Sequence, residues 1–167
     1  MNKKLEVNGI GMTCLTPILK FMAHVPLSIV KSKDKSILII SFGMGTTFRS
    51  AASWDIRTVA VELVPSVRDA FGFYFKDSEE ILKKPNVEIV VDGGRRYLRR
   101  TSEKYDVISI DPPPPVESSG SGLLYSEQFY RILKGRLKDG GILAHWFPSD
   151  PRIKTNQTLK AVANAIQ

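Results

Sequence analysis

Three carboxylates stand at the ends of apolar runs. Glu62 follows Thr58-Val-Ala-Val61, Asp92 follows Val87-Glu-Ile-Val-Val91, and Asp111 closes Tyr105-Asp-Val-Ile-Ser-Ile-Asp111. A fourth run, Ser36-Ile-Leu-Ile-Ile-Ser-Phe42, leads into Gly43-Met-Gly45-Thr-Thr47. Glycines let a backbone come close to a ligand and take positive φ, and an acid about 20 residues further on, at the tip of the next strand, accepts hydrogen bonds from ribose hydroxyls. Glu62 holds that place, with Gly43 and Gly45 as the backbone contacts. The alternative is a tight strand-to-helix turn beside an acidic strand end. Phe48 stands where a dinucleotide fingerprint continues toward its third glycine, so a mononucleoside such as adenosylmethionine fits better than NAD. Asp92 and Gly93 reach the same edge, where Asp92 either meets the adenine amino group or initiates a turn. Asp111, followed by Pro112-Pro-Pro-Pro115, sits in chain that cannot be helical and faces the transferred group, or else caps the loop.

To bring these residues together, the strands must be parallel. Near-continuous apolar runs at 36–42, 58–63, 87–91, 105–111 and 141–147 read as five strands buried on both faces. Helical spacing fills Thr46–Trp54, Val64–Phe75, Gly94–Glu103 and Ser126–Leu137, the last capped by Ser126 and stopped at Lys138-Asp-Gly-Gly141. Alternating strands and helices with right-handed crossovers predict an α/β, doubly wound, Rossmann-like parallel sheet. Residues 1–35 read as a lead-in: a hairpin turning at Asn8-Gly9, a Pro-broken helix over 17–30 and a polar linker. Residues 36–167 form the nucleoside-binding α/β domain, ending in a helix over 155–167.

Composition narrows the class. The 167 residues are 43% hydrophobic and 25% charged, ordinary for a globular chain, with a net charge of +7 that leaves anionic partners open. Leu15–Val30 is interrupted by Pro17, Lys20, His24 and Pro26, short of the ~20 apolar residues that span a bilayer. The start of the chain lacks the apolar core of a signal peptide, so a cytoplasmic location is expected. One cysteine, Cys14, and two isolated histidines, His24 and His145, offer neither a disulfide nor a metal cluster. His24 reads as packed scaffold and Tyr130 as core. His145 is a buried strand residue or borders the ligand edge, and Tyr125 either lines an acceptor cleft or packs inside.

Taken together, Phe21-Met-Ala-His-Val-Pro-Leu27, Gly43-Met-Gly-Thr-Thr47, Val61-Glu-Leu63, Tyr105–Asp111, Ser119-Gly-Ser-Gly-Leu-Leu-Tyr-Ser-Glu-Gln-Phe-Tyr130 and Leu137-Lys-Asp-Gly-Gly-Ile-Leu143 resemble the spermidine/spermine synthase family. The resemblance implies a class I adenosylmethionine-dependent methyltransferase-like fold, here lacking the last strands of the family's seven-stranded sheet. It also implies aminopropyl transfer from decarboxylated adenosylmethionine to an amine, with no metal. Glu62 matches the family's ribose-binding acid and Asp111 the first acid of its strand-four loop. The departures fall on the amine side. The second loop acid, which binds and deprotonates the attacking amine, falls on Pro114, and the acid of the glycine loop falls on Met44. The aspartate after strand three falls on Gly93, with Asp92 one position early, while the N-terminal glutamine and tyrosine fall on Met12 and Ile18. Glu117 is the acid left in the strand-four loop and a possible displaced base.

A polycationic amine needs carboxylates to replace its water, so these losses keep other chemistry open. Asp111-Pro-Pro-Pro114 also resembles the Asp-Pro-Pro-Tyr loop of amino-methyltransferases, and Arg95-Arg-Tyr-Leu-Arg-Arg100 either contacts nucleic-acid phosphates or forms a solvated face. The alternatives to aminopropyl transfer are therefore methyl transfer from adenosylmethionine, to an amine or a nucleic-acid base, and a non-catalytic nucleoside-binding module. An unpaired edge at the fifth strand, together with the family's habit of oligomerising, predicts a homodimer.

Overall fold

A computed structural model of the chain describes residues 3–7, 10–112, 119–147 and 160. Five parallel strands form one sheet: β3 (Ser36–Ile40), β4 (Arg57–Glu62), β5 (Val87–Val91), β6 (Tyr105–Ile110) and β7 (Leu137–His145). Their spatial order is β5-β4-β3-β6-β7. The order reverses between β3 and β6, and open α/β sheets bind ligands outside the strand ends at such a switch. A separate hairpin pairs β1 (Lys4–Val7) with β2 (Ile10–Cys14); the turn expected at Asn8-Gly9 lies outside the described residues.

In the middle of the sheet, β3 and β6 are buried along their whole length. One face of the sheet carries α1 (Ile18–Ile29) and α2 (Thr46–Ala52), which place Ala23, Leu27, Phe48 and Ala51 against Ile37, Ile39 and Val107. The other carries α6 (Gly94–Arg100) and α8 (Glu127–Lys134), which place Leu98, Phe129 and Leu133 against Leu38, Ile40 and Ile108. Short helices α3 (Pro65–Asp69), α4 (Phe71–Tyr74) and α5 (Ser78–Leu82) join β4 to β5, and α7 (Ser119–Gly122) precedes a single 3-10 turn, Leu123–Tyr125.

Several local expectations change. The helix expected over 64–75 is broken at Ala70, the C-cap of α3 and N-cap of α4. The Pro-broken helix runs from Ile18 to Ile29 with Pro26 inside its last turn, where the missing N–H costs one bond near an end that already has free carbonyls. Ser126 caps α8 as expected, its hydroxyl accepting from the Phe129 N–H at 3.3 Å. However, α8 stops at Gly135, and Lys138–Gly141 lies within β7, where a register shift opposite Tyr105–Val107 accommodates Gly140 at φ 72°. A bulge has replaced the expected glycine cap. The helix expected over 155–167 lies outside the described residues apart from Lys160, which is helical.

The opposite end of the sheet is clamped by charge. Asp106, the second residue of β6, accepts from the backbone N–H and hydroxyl of Ser36 on β3 and from Lys138 on β7, each at 2.8 Å. Three strands are thereby held in register by one carboxylate.

Candidate functional site

The ladders continue past the strand ends and bring the candidate acids to one edge. The Asp92 N–H donates to the Glu62 carbonyl at 3.0 Å, and the Asp111 N–H donates to the Ile40 carbonyl at 3.3 Å. Above this edge lies a cavity of about 800 Å³. Glu62, Asp111 and Gly43 line it, with apolar walls from Ile40, Val61, Leu63 and Val64 on one side and Leu123 and Leu124 on the other. Leu5 and Thr13 of the hairpin also reach it.

Glu62 is buried, and its carboxylate accepts from the Val64 N–H at 2.9 Å and from the Gly43 N–H at 3.3 Å. The acid is thus held to the glycine turn. That turn is tightly determined: Gly45 has φ 83°, and a Cβ there would lie 2.5 Å from Phe71 and 2.7 Å from Phe42. Ser41, just before it, takes φ 72° without being glycine, a conformation disfavoured for L-residues. No sequence signal marked Ser41, though it lines the cavity.

Asp92 and Gly93 are placed differently from each other. Gly93 lines the cavity, whereas Asp92 is outside its lining; the buried carboxylate of Asp92 accepts from the Gly93 N–H at 2.6 Å and pairs with Arg96 and Arg100. An Asx-type turn closed by arginines is what this geometry resembles. The strict need for glycine falls on Gly94, whose Cβ would clash with the Ile40 side chain.

Asp111 lies across the cavity from Glu62, and burial pushes its carboxyl up to about 6. Behind it, Tyr125 stacks on His145, with ring centroids 4.7 Å apart and planes 13° apart, and the Tyr130 hydroxyl meets His145 Nδ1 at 2.7 Å. Burial lowers His145 to about 4, so its ring is neutral at pH 7. His145 and Tyr125 are therefore packed behind the edge, and neither lines the cavity. The hydrogen-bond partner of the His145 ring is thus a tyrosine hydroxyl. Tyr130 is core, and His24 accepts a hydrogen bond from Trp54 Nε1 at 2.8 Å, as scaffold should.

Met44 is buried against Leu5 and Val67. Where the resemblance places an acid, this chain has a core side chain. Ile18 is on the exposed side of α1. Pro114 and Glu117 lie outside the described residues, as does the side chain of Met12. Among the described residues, no group of three or more His, Cys, Asp or Glu side chains is arranged to hold a metal ion, and no helix is long and apolar enough to cross a membrane.

A five-stranded parallel sheet with this strand order, a glycine turn after its first strand and acids at the following strand tips defines the class I methyltransferase-like fold. The chain belongs to the spermine/spermidine synthase family, whose domain it matches over residues 18–162. It is 33% identical to the polyamine aminopropyltransferase of Thermotoga petrophila over 141 residues, 80% of this chain and 47% of that protein. With the Thermococcus kodakarensis polyamine aminopropyltransferase it shares 30% identity over 125 residues, 70% of this chain and 43% of that one. The chain thus spans about half the length of these curated relatives. The structure of a spermidine synthase in complex with the transition-state analogue AdoDATO superposes with a TM-score of 0.80 at 25% identity, covering 96% of this chain and 56% of that one. A methyltransferase from Geobacter metallireducens, at 19% identity and a TM-score of 0.55, shares the fold.

Proposed function

We propose that the protein binds an adenosylmethionine-type nucleoside in this cavity and transfers an aminopropyl group from decarboxylated adenosylmethionine to an amine. The observation that carries this reading is the placement of Glu62, a buried carboxylate fixed to the glycine turn by the Gly43 N–H and lining a cavity of about 800 Å³, large enough for a nucleoside and an acceptor side by side. Glu62 accepts the ribose hydroxyls and Gly43, on the cavity wall, lets the backbone come close, while Gly45, outside the cavity lining, shapes the turn by packing against Phe42 and Phe71. The base lies between the Leu63–Val64 and Leu123–Leu124 walls beside Gly93, with Asp92 setting the Gly93 backbone from behind.

In this reading, Asp111 faces the reacting carbon and orients the amine. The amine nitrogen donates its lone pair to the carbon attached to the sulfonium, the carbon–sulfur bond breaks, and its electron pair returns to sulfur, giving neutral methylthioadenosine. The surplus proton leaves the new ammonium through Asp111 to solvent. Catalysis is mostly positioning, since the leaving group already carries a positive charge. The burial of Met44 in place of an acid supports an acceptor less cationic than a standard polyamine. It also keeps the second reading in view, methyl transfer from adenosylmethionine.

The test is product analysis by mass spectrometry after incubation with decarboxylated adenosylmethionine and a panel of mono-, di- and triamines. An aminopropylated amine with stoichiometric methylthioadenosine, reduced at least about 100-fold in Asp111→Asn, supports the assignment. Product formation that Asp111→Asn leaves undiminished removes Asp111 from it, and methylated amines from adenosylmethionine favour the second reading.

We also propose a homodimer. Among the described residues β7 pairs on one side only, and the neighbouring α1 exposes Ile18, Phe21, Val25 and Ile29 along one stripe. Light scattering should give twice the chain mass, falling to one in a Phe21→Glu, Val25→Glu variant. A wild-type monomer at 0.1 mM, about the limit of a useful dimer contact, contradicts it.

A further inference from the structure

Ser41 stands just past the end of β3, in the middle of the cavity edge. Its N–H donates to the Val61 carbonyl at 3.1 Å, beside Glu62, and the carbonyl of Ile40 just before it accepts from the Asp111 N–H at 3.3 Å. The residue is thus flanked by the tips of β4 and β6, between the acid assigned to the ribose and the acid assigned to the reacting carbon, where the strand order reverses. It is half-buried and lines the cavity, and its hydroxyl makes no hydrogen bond to the described residues.

The backbone of Ser41 is strained. Its φ of 72° is tolerated by glycine and adopted by an L-residue only at a cost. The conformation is imposed by the turn that follows: Phe42 is buried edge-on against Phe48 and Phe71, with ring centroids 5.4 and 5.3 Å away, and its carbonyl accepts from the Gly45 N–H at 2.9 Å. Three residues of this segment take positive φ, and two of them, Gly43 and Gly45, are glycines; only Ser41 carries a side chain there. A glycine would satisfy the same backbone without strain. What serine adds is a hydroxymethyl group, on a residue that lines the cavity.

We propose that Ser41 contacts the donor, its hydroxyl oxygen accepting a hydrogen bond from the ammonium at the end of the aminopropyl chain. This rests on the nucleoside reading of the cavity and deepens it by naming a residue that holds the transferred group. With the ribose on Glu62, the sulfur and its chain extend toward Asp111 past the tip of β3. A neutral hydroxyl at that tip offers the chain ammonium an acceptor and leaves Asp111 to the incoming amine, and hydrogen bonds to charged groups are the stronger ones. The fixed turn holds the oxygen in place before the donor arrives, so little freedom is lost on binding.

Calorimetric titration compares three ligands that share the nucleoside: decarboxylated adenosylmethionine; methylthioadenosine, which lacks the chain; and the dimethylsulfonium analogue of methylthioadenosine, which has the sulfonium charge but no ammonium. Ser41→Gly should weaken the first about tenfold and leave the other two within about twofold. Its melting temperature should rise by about 2 °C, the relief of strain less the added freedom of glycine in the unfolded chain, which also shows that the variant folds. Ser41→Ala, which keeps the strain, should show the same loss of affinity without the rise. Unchanged affinity of both variants for decarboxylated adenosylmethionine overturns the assignment, as does an equal loss for all three ligands, the result of a structural role alone; in either case the nucleoside reading stands. A loss shared by the two sulfonium ligands but not by methylthioadenosine puts the hydroxyl on the sulfonium and overturns the ammonium contact. Failure of the wild type to bind any of the three overturns the nucleoside reading as well.

Discussion

The carboxylate of Glu62 accepts a hydrogen bond from the backbone N–H of Gly43 at 3.3 Å, tying the tip of β4 to the turn that follows β3. A second bond, from the Val64 N–H at 2.9 Å, fixes the other oxygen. An acid held this way is pre-oriented before any ligand arrives, so little freedom is lost on binding.

Because Gly45 takes φ 83° and its missing Cβ leaves room for Phe71 and Phe42, Gly45→Ala should destabilise the fold by about 3 kcal/mol or more, combining left-handed strain with overpacking. Gly140 has φ 72° but open space around it, so Gly140→Ala should cost only about 1 kcal/mol. Urea denaturation of the two variants checks this. Equal losses would show that packing around the glycine turn is looser than described.

Asp106 should matter through its three partners and not through the cavity. Against the burial that would raise it, hydrogen bonds from Lys138 and Ser36 hold its carboxyl below the ordinary value. Its contribution to stability is therefore present above pH 3.8 and is lost as pH falls through the lower folded-state value. Asp106→Ala should cost about 2 kcal/mol at pH 7, at the low end for a broken buried pair because Lys138 is part-exposed, while nucleoside affinity stays unchanged. A loss of affinity without a loss of stability would contradict the assignment.

Two buried groups respond to pH with opposite signs. Burial raises Asp111 from 3.8 to about 6, so the folded state holds the extra proton between those values and stability falls as pH rises across them. Burial lowers His145 from 6.5 to about 4, so the unfolded state holds the extra proton and stability falls as pH drops across that window. Urea midpoints between pH 4 and 6.5 should show Asp111→Asn gaining on wild type as pH rises and His145→Gln gaining on it as pH falls. Transfer that needs ionised Asp111 should also rise with pH through about 6. Parallel curves for both variants would mean that these side chains are solvated.

Much of this organisation was legible in the sequence. All five parallel strands were, and Ser126 announced its helix; β3, β4 and β6 are buried as their continuous apolar residues require, whereas the edge strands β5 and β7, expected to be buried on both faces, are only part-buried because each pairs on one side. The Lys138–Gly141 segment was not, since a glycine pair reads the same whether it caps a helix or carries a bulge, and only pairing with Tyr105 and Val107 distinguishes them. Within the site, Gly43, Glu62, Gly93 and Asp111 reach one cavity as their strand-end positions required. Asp92 stands apart because Arg96 and Arg100, one and two turns along α6, draw its carboxylate to the helix.

In the proposed mode of binding, Glu62 anchors the nucleoside. The decisive experiment is calorimetric titration of methylthioadenosine, adenosylmethionine and decarboxylated adenosylmethionine into wild type and Glu62→Ala, with folding of the variant verified by circular dichroism. Binding should fall at least about 30-fold in Glu62→Ala, as expected for loss of charge-assisted hydrogen bonds to two hydroxyls, with the decarboxylated form preferred if the transferred group is aminopropyl. Equal affinities for wild type and a folded Glu62→Ala, or no binding of any of the three by wild type, would contradict it.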